Sequence, residues 1–270
     1  MKEKRFDLSL DGIKASLVYL MCEGFKLNML LVGFEEKRRV LSTKEAYKEV
    51  KFVGNTYIDG ALFEHVRKSF GERLPVNFDL GIDRKVLKIL GIAPDEAAIL
   101  NTAVNMEHVA VHEKSYKEFK VCCFVTAGTR GNALRTGEDT ADWTERNGIY
   151  ANPLGTINII VLTNAKLADS AMARAIITAT EAKTAALQDL DIRSTLNPKK
   201  QATGTGTDNI IIVSGVEFDE PIQCTSGHTK MGELIAVSTK EAVTQAMKKH
   251  DGTLSVRSLF RFAKKNKHRR

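Results

Sequence analysis

The chain has 270 residues, 43% hydrophobic and 27% charged, which is long enough to bury a sizeable core without disulfide staples and ordinary for a globular protein. No stretch approaches the roughly 18 uninterrupted apolar residues of a membrane span, and the start Met1-Lys2-Glu3-Lys4-Arg5 does not run into the apolar segment of a secretory signal, so a cytoplasmic protein is expected. The formal charge of +7 resides in a tail, because Arg257, Arg261, Lys264, Lys265, Lys267, Arg269 and Arg270 carry the whole excess, and a formally neutral body argues against a nucleic-acid-binding face.

The expected organisation is one domain over residues 1–256 followed by a basic tail over 257–270. In chain order, short β-like runs are expected at 6–10, 15–20, 27–33 and 49–57, then helices at 61–70 and 83–90, the second stopped by Gly91-Ile92-Ala93-Pro94. Strands follow at 97–104 and 120–126, with a helical spacing between them over 108–119. Residues 128–152 read as a long polar loop that carries the only tryptophan, Trp143, and a loop of that length inside a domain is usually functional. Residues 156–163 are apolar on both faces, as a central strand covered on both sides requires. An Ala-rich helix over 170–190, capped by Asp169 or Ser170, precedes a second strong strand at 209–213. Residues 217–224 read as a linker or hairpin, and a last helix spans 228–249 with Thr225 or Ser226 near its cap. This alternation predicts an α/β fold, with α+β as the variant, built on a mixed β-sheet with packed helices.

The four cysteines, Cys22, Cys122, Cys123 and Cys224, form no C-x-x-C pair and read as small buried hydrophobes. His108 and His112 would share one face if 108–119 were helical, which would make them candidate metal ligands beside Glu107 and Glu113. The turn Thr203-Gly204-Thr205-Gly206-Thr207-Asp208 is the most informative segment. Its glycines would let N–H groups converge on an anion, and the same residues also read as a tight turn capped by Asp208. It precedes a strand and lacks both nucleotide-binding glycine signatures, so neither nucleotide motif applies. His228 at the positive end of the last helix is a candidate base, held neutral by the helix dipole. Thr229 and Glu233, an i, i+4 pair, stand next to it and serve equally well as caps. Glu181 lies in the middle of the Ala-rich helix, either on a solvent stripe with Arg174 and Gln188 or buried with a shifted pKa. Asn101, Thr126, Asn132, Asn158, Thr163 and Asn164 lie in or just after expected strands, where α/β sheets bind ligands.

Four segments together are similar to a known family: Gly155–Asn164 (G-T-I-N-I-I-V-L-T-N), Ala175–Leu190 (A-I-I-T-A-T-E-A-K-T-A-A-L-Q-D-L), Ala202–Gly215 (A-T-G-T-G-T-D-N-I-I-I-V-S-G) and Gly227–Ile235 (G-H-T-K-M-G-E-L-I). With V-T-A-G-T-R-G-N-A-L-R-T-G over 125–137, they resemble the adenosylcobinamide amidohydrolases, the CbiZ family. The likeness is close over roughly 120–250, loose over the first hundred residues and absent from the tail. It implies cleavage of the amide between the aminopropanol arm and the corrin ring of adenosylcobinamide, giving adenosylcobyric acid for cobalamin salvage. The implied partner is a small corrinoid that brings its own cobalt, with no protein cofactor or metal and no nucleic acid. A homo-oligomer is compatible with the sequence.

Three mechanisms fit the residues. In the first, Glu181, Asp208, His228 and Glu233 supply the base and acid for water attack. Thr126, Asn132, Asn158, Lys183, Gly204, Thr205, Gly206, Thr207 and Thr229 then bind substrate and stabilise the oxyanion. In the second, Thr205 or Thr207 is the nucleophile, as in amidases that expose a threonine by cutting a Gly–Thr bond. In the third, Asp208, His228 and a glutamate hold an added metal. The rival class is a corrinoid-binding protein without turnover.

Overall fold

A computed structural model describes residues 2–70, 78–141 and 155–252; Trp143 and the basic tail lie outside these. The first strands, β1 (Lys2–Phe6), β2 (Ile13–Cys22), β3 (Phe25–Ser42) and β4 (Ala46–Tyr57), form an antiparallel meander. The 18-residue β3 carries a bulge between Gly33 and Arg38, and a bulge bends and twists its strand. One end of β3 therefore pairs with β2, while Val40–Ser42 pair with a strand from the far half of the chain.

After β4 come α1 (Gly60–Phe70), α2 (Phe78–Leu90) and β5 (Ala97–Thr102), which pairs parallel with β4. This is one strand–helix–strand crossover. Next are the hairpin β6 (Ala110–Tyr116) and β7 (Phe119–Ala127), the two-residue β8 (Ala133–Leu134), β9 (Ile157–Thr163) and β10 (Ala165–Leu167). The chain continues with α3 (Asp169–Asp189), the two-residue β11 (Gly204–Thr205), β12 (Asn209–Val213), β13 (Glu217–Ile222) and α4 (Lys230–Asp251). Strands β9 and β12 pair in parallel across α3, the second crossover.

Among the described residues the main sheet has nine strands. Seven run in the order β1-β2-β3-β12-β9-β7-β6, and β4 and β5 extend from β3. Because β3 bends, the sheet doubles over and its two halves face each other. Three buried clusters fill the resulting four layers. Val18, Leu20 and Met29 pack on Leu62, Val86 and Leu87 of α1 and α2. Leu17, Leu30, Val53 and Leu100 meet Phe124, Ile160, Leu162 and Ile211 between the sheet halves. Ile159, Val161 and Ile212 pack on Ala175, Ala179, Leu234 and Val243 of α3 and α4. The doubly apolar sequence of β9 follows from this burial. Alternate residues face opposite sides of a strand, so Ile157, Ile159 and Val161 reach the helices, while Ile160 and Leu162 reach the other half of the sheet.

Helix α3 buries Ala171, Ala175, Ala179, Ala182 and Ala186 along one stripe, and Arg174, Glu181 and Gln188 lie exposed. Small side chains let α3 lie close to α4. The segment expected to be helical at 108–119 is instead strand β6, joined to β7 through Lys117 at φ 51°. The i, i+4 spacing of His108 and His112 therefore puts them on no common helix face. His108 ends a short 3-10 turn and hydrogen-bonds the Lys249 carbonyl, while His112 sits in β6. The first strand, expected at 6–10, lies instead at Lys2–Phe6, and residues 7–10 are not in a strand. Ala168, not Asp169 or Ser170, is the N-cap residue of α3, and Thr229, three residues after Ser226, caps α4, as one of its two readings expected.

Candidate active site

The glycine–threonine turn lies at the N-terminal ends of β9 and β12, where it is tied down by Asp208. That carboxylate accepts hydrogen bonds from Lys183 Nζ at 2.5 Å, Thr205 Oγ1 at 2.5 Å, Thr205 N at 3.1 Å and Ile157 N at 3.0 Å. The Lys183 side chain is 8% exposed and that of Asp208 13%, so this is a shielded ion pair with further donors answering its lone pairs. A Cβ at Gly204 would strike the Asp208 carboxylate and lie 2.7 Å from Lys183 Nζ; close approach, not a left-handed backbone, explains the glycine. The expected convergence of N–H groups on an outside anion is not formed. Thr205 N is taken by Asp208 and Thr207 N by Thr205 Oγ1 at 3.4 Å, so the loop's own carboxylate fills that role.

Two side chains converge instead on one carbonyl oxygen. Asn132 Nδ2 donates to Gly155 O at 2.8 Å, and Thr207 Oγ1 donates to the same atom at 2.7 Å. Asn132 Nδ2 also reaches Thr207 Oγ1 at 3.3 Å. A Cβ at Gly206 would stand 3.0 Å from Asn132 Oδ1, so the second glycine leaves room for that amide. Thr156 Oγ1 donates to Thr207 O at 2.6 Å and approaches Asn158 Oδ1 at 3.4 Å.

The polar chain continues into the space between the sheet halves. Asn158 shares the β9 face of Ile160 and Leu162; its Nδ2 donates to Asn55 Oδ1 at 2.9 Å and Asn101 O at 2.8 Å. Asn55 Nδ2 in turn donates to Thr126 Oγ1 at 2.9 Å. The inner core thus ends, on this side, in a row of buried amides and hydroxyls. Each buried polar group there has a partner, as low-dielectric surroundings demand. Such a network fixes its members rigidly, and rigid donors are what stabilise charge developing on an oxygen.

The structure brings Thr126, Asn132, Asn158, Lys183, Gly204, Thr205, Gly206, Thr207 and Asp208 into this one region. It does not bring in His228, Glu233 or Thr229. Lys230, at the start of α4, lies 4.5 Å from the centre of the Tyr116 ring, and Tyr116 closes the hairpin whose Val121 pairs with Thr163. Asp208, by contrast, binds the first residue of β9. The seven residues of β9 span about 20 Å at ~3.3 Å per residue, which separates the two groups. The end of α4 that approaches the cluster is its C-terminus: Asp251 accepts from Thr129 Oγ1 at 3.2 Å and pairs with Arg130 Nε at 3.0 Å.

His228 is exposed, and Glu233 pairs with Lys230 at 2.5 Å. Thr229 Oγ1 accepts from Gly232 N at 3.1 Å, an ordinary cap. Gly232 is needed because the Ser226 carbonyl packs where its Cβ would be. Glu181 is exposed, on the solvent stripe. Asp208 and His228 therefore do not form a shared ligand set, and among the described residues no three His, Cys, Asp or Glu side chains cluster as metal ligands. No described helix is long and apolar enough to cross a membrane.

Sequence reasoning missed Asn55, Gly155 and Thr156. Asn55 gives no sequence signal, because its side-chain partners, Thr126 and Asn158, come from two other strands far along the chain. Thr156 had one, a Gly–Thr dipeptide opening the strongest strand.

The adenosylcobinamide amidohydrolase family, CbiZ, matches residues 17–255. The chain is 44% identical over 232 residues to an uncharacterized protein of Methanocaldococcus jannaschii, covering 82% of this chain and 86% of that one. It is 36% identical over 113 residues to an adenosylcobinamide amidohydrolase of Methanosarcina mazei, covering 42% and 43%. Among solved structures it is similar to the L-aminopeptidase D-Ala-esterase/amidase of Ochrobactrum anthropi, at TM-score 0.44 and 12% identity, covering 89% and 85%. A Burkholderia sp. beta-aminopeptidase is similar at TM-score 0.46 and 10% identity with the same coverage. The extent of the family match, across both halves of the sheet and the four described α-helices, makes this chain a member of the adenosylcobinamide amidohydrolase family.

Proposed function

We propose that this amidohydrolase cleaves the amide joining the aminopropanol arm to the corrin ring of adenosylcobinamide, releasing aminopropanol and adenosylcobyric acid for cytoplasmic corrinoid salvage. The observation that carries the reading is the pair of donors, Asn132 Nδ2 and Thr207 Oγ1, aimed at a single amide oxygen. Gly155 O is itself an amide oxygen, so the pair already accommodates the kind of group that the reaction attacks. When a nucleophile adds to an amide carbon, negative charge grows on that oxygen. Two fixed donors of this kind, each worth about 2.7–4 kcal/mol, supply part of the ~8–23 kcal/mol by which enzymes lower such barriers. The Lys183–Asp208 pair holds the Thr207 turn in place, and Asn158, Asn55 and Thr126 brace it from behind. The name carried by the Methanosarcina mazei relative agrees with this substrate, and the cobalt arrives with the corrinoid.

The test is mass spectrometry of adenosylcobinamide after incubation with the protein. Release of aminopropanol with formation of adenosylcobyric acid supports the reading. Tight binding of intact adenosylcobinamide without any release would replace it with a corrinoid-binding protein.

A further inference from the structure

The peptide bond between Gly155 and Thr156 is held from three sides. Asn132 and Thr207 grip its oxygen. Gly128 N donates to Thr156 O at 3.0 Å on the next residue. Gly155 has φ +117°, a conformation only glycine adopts freely, and a Cβ there would lie 3.0 Å from Gly128 O. Two side-chain donors on this carbonyl serve no sheet ladder; β9 begins one residue after Thr156. The residue after the polarised carbonyl carries a hydroxyl, and a hydroxyl on residue i+1 reaches the carbonyl carbon of residue i through a five-membered ring.

We infer that the chain cuts itself between Gly155 and Thr156, and that the freed N-terminal Thr156 is the nucleophile of the amidohydrolase. Thr156 Oγ attacks the Gly155 carbonyl carbon, and the negative charge on Gly155 O is taken by Asn132 Nδ2 and Thr207 Oγ1. The C–N bond breaks, the hydroxyl proton passes to the departing Thr156 nitrogen, and an ester links Gly155 to Thr156 Oγ. Water hydrolyses that ester, leaving a Gly155 carboxylate and a Thr156 with free hydroxyl and free amine. Departure of the Gly155 carbonyl vacates the two donors for the carbonyl of an incoming amide. The new α-amine, with a pKa of about 7.7–8.0 in unperturbed chains, is then placed on the residue whose hydroxyl it activates, the arrangement of threonine nucleophiles that use their own N-terminus as base. The acyl-enzyme forms as the aminopropanol nitrogen leaves with a proton, and water releases adenosylcobyric acid. This second role rests on the proposed function; the self-cleavage does not.

Intact mass and denaturing gels of the purified full chain decide it, alongside the aminopropanol assay. The expected result is two fragments, 1–155 and 156–270, whose masses sum to the chain plus one water, the second beginning Thr-Ile-Asn-Ile. Thr156→Ala should remain uncut and release no aminopropanol while keeping the circular dichroism of the parent. Thr156→Ser should cut and turn over. Asn132→Ala and Thr207→Val should each slow the cut by about 10²–10³-fold, the usual effect of removing one such donor. Should Thr156→Ala lose its fold, the parent and Thr156→Ser still decide. An uncut parent that releases aminopropanol overturns the inference and leaves the proposed function standing. A cut parent that releases none retains the self-cleavage and removes the corrinoid reading.

Discussion

Lys183 has its ammonium against Asp208 and its side chain shielded from water, so neither charge is solvated if the other is removed. Breaking a buried pair from one side costs about 3–5 kcal/mol, because it strands the remaining charge. Lys183→Met is therefore expected to destabilise the protein by about that much, and Asp208→Asn to do so as well, while the double variant loses less than the two singles added together. Urea unfolding measures all three, and strictly additive losses would mean that the two groups do not share an environment. The same geometry separates the sequence-nominated groups by role. Lys183 and Asp208 hold the turn, whereas Glu181 and His228 stand in solvent away from it. Glu181→Ala and His228→Ala should keep turnover within about twofold, the scale of the ~0.5 kcal/mol typical of surface changes. A loss of a hundredfold in either, read in the aminopropanol assay, would contradict this placement.

Helix α4 spans two chemical environments, and its last turn is the less accommodating. His250 is half-buried against Gly128, with its ring edge-on to His108 at 5.3 Å. Burial holds its pKa below the ordinary histidine value; Asp251 opposes this, and His108 and Arg130 reinforce it. An unfolded chain binds that proton first as pH falls through about 6.5, so the contribution of neutral His250 is present above that pH and is lost below it, towards the folded-state pKa. Unfolding midpoints should thus fall between about pH 7.5 and 5.5, and His250→Gln should reduce that fall; an identical slope in the variant would remove His250 as its source. At this scale the sequence was most informative where burial imposes a pattern. The strands β9 and β12 and helix α3 were legible because their faces are covered on both sides or along one stripe. Strand β6 was not, because the pairing that makes the segment a strand comes from β7, and single-sequence periodicity contains no information about a partner strand.

Which end of a helix meets a loop is a property of the whole chain, and this is why the site was only half legible. The turn at 203–208 and the amides Asn132 and Asn158 announce polar chemistry locally, but their union with Asn55 and Thr126 requires the doubled sheet. The start of α4 was expected beside the turn, and the parallel run of α3 and α4 puts its C-terminus there instead. The same topology decides whether two fragments cut at Gly155 would stay together. The bond lies between β8 and β9, so one fragment would hold β1 to β8 and the other β9 to α4. Yet β9 pairs with β7 along seven residues, β12 pairs with β3, and α4 lies across β6 and β7. Both the inner core and the helix-side core contain residues from each fragment. Separating them would expose those cores to water, at about 25 cal/mol for every Å² of apolar surface uncovered. The processed protein is expected to elute from a sizing column as one species at the position of the uncut Thr156→Ala variant, and to resolve into two chains only in denaturant. Elution of either fragment alone under native conditions would show that the sheet does not hold the halves together, and a nucleophile at Thr156 would then have no Asn132 beside it.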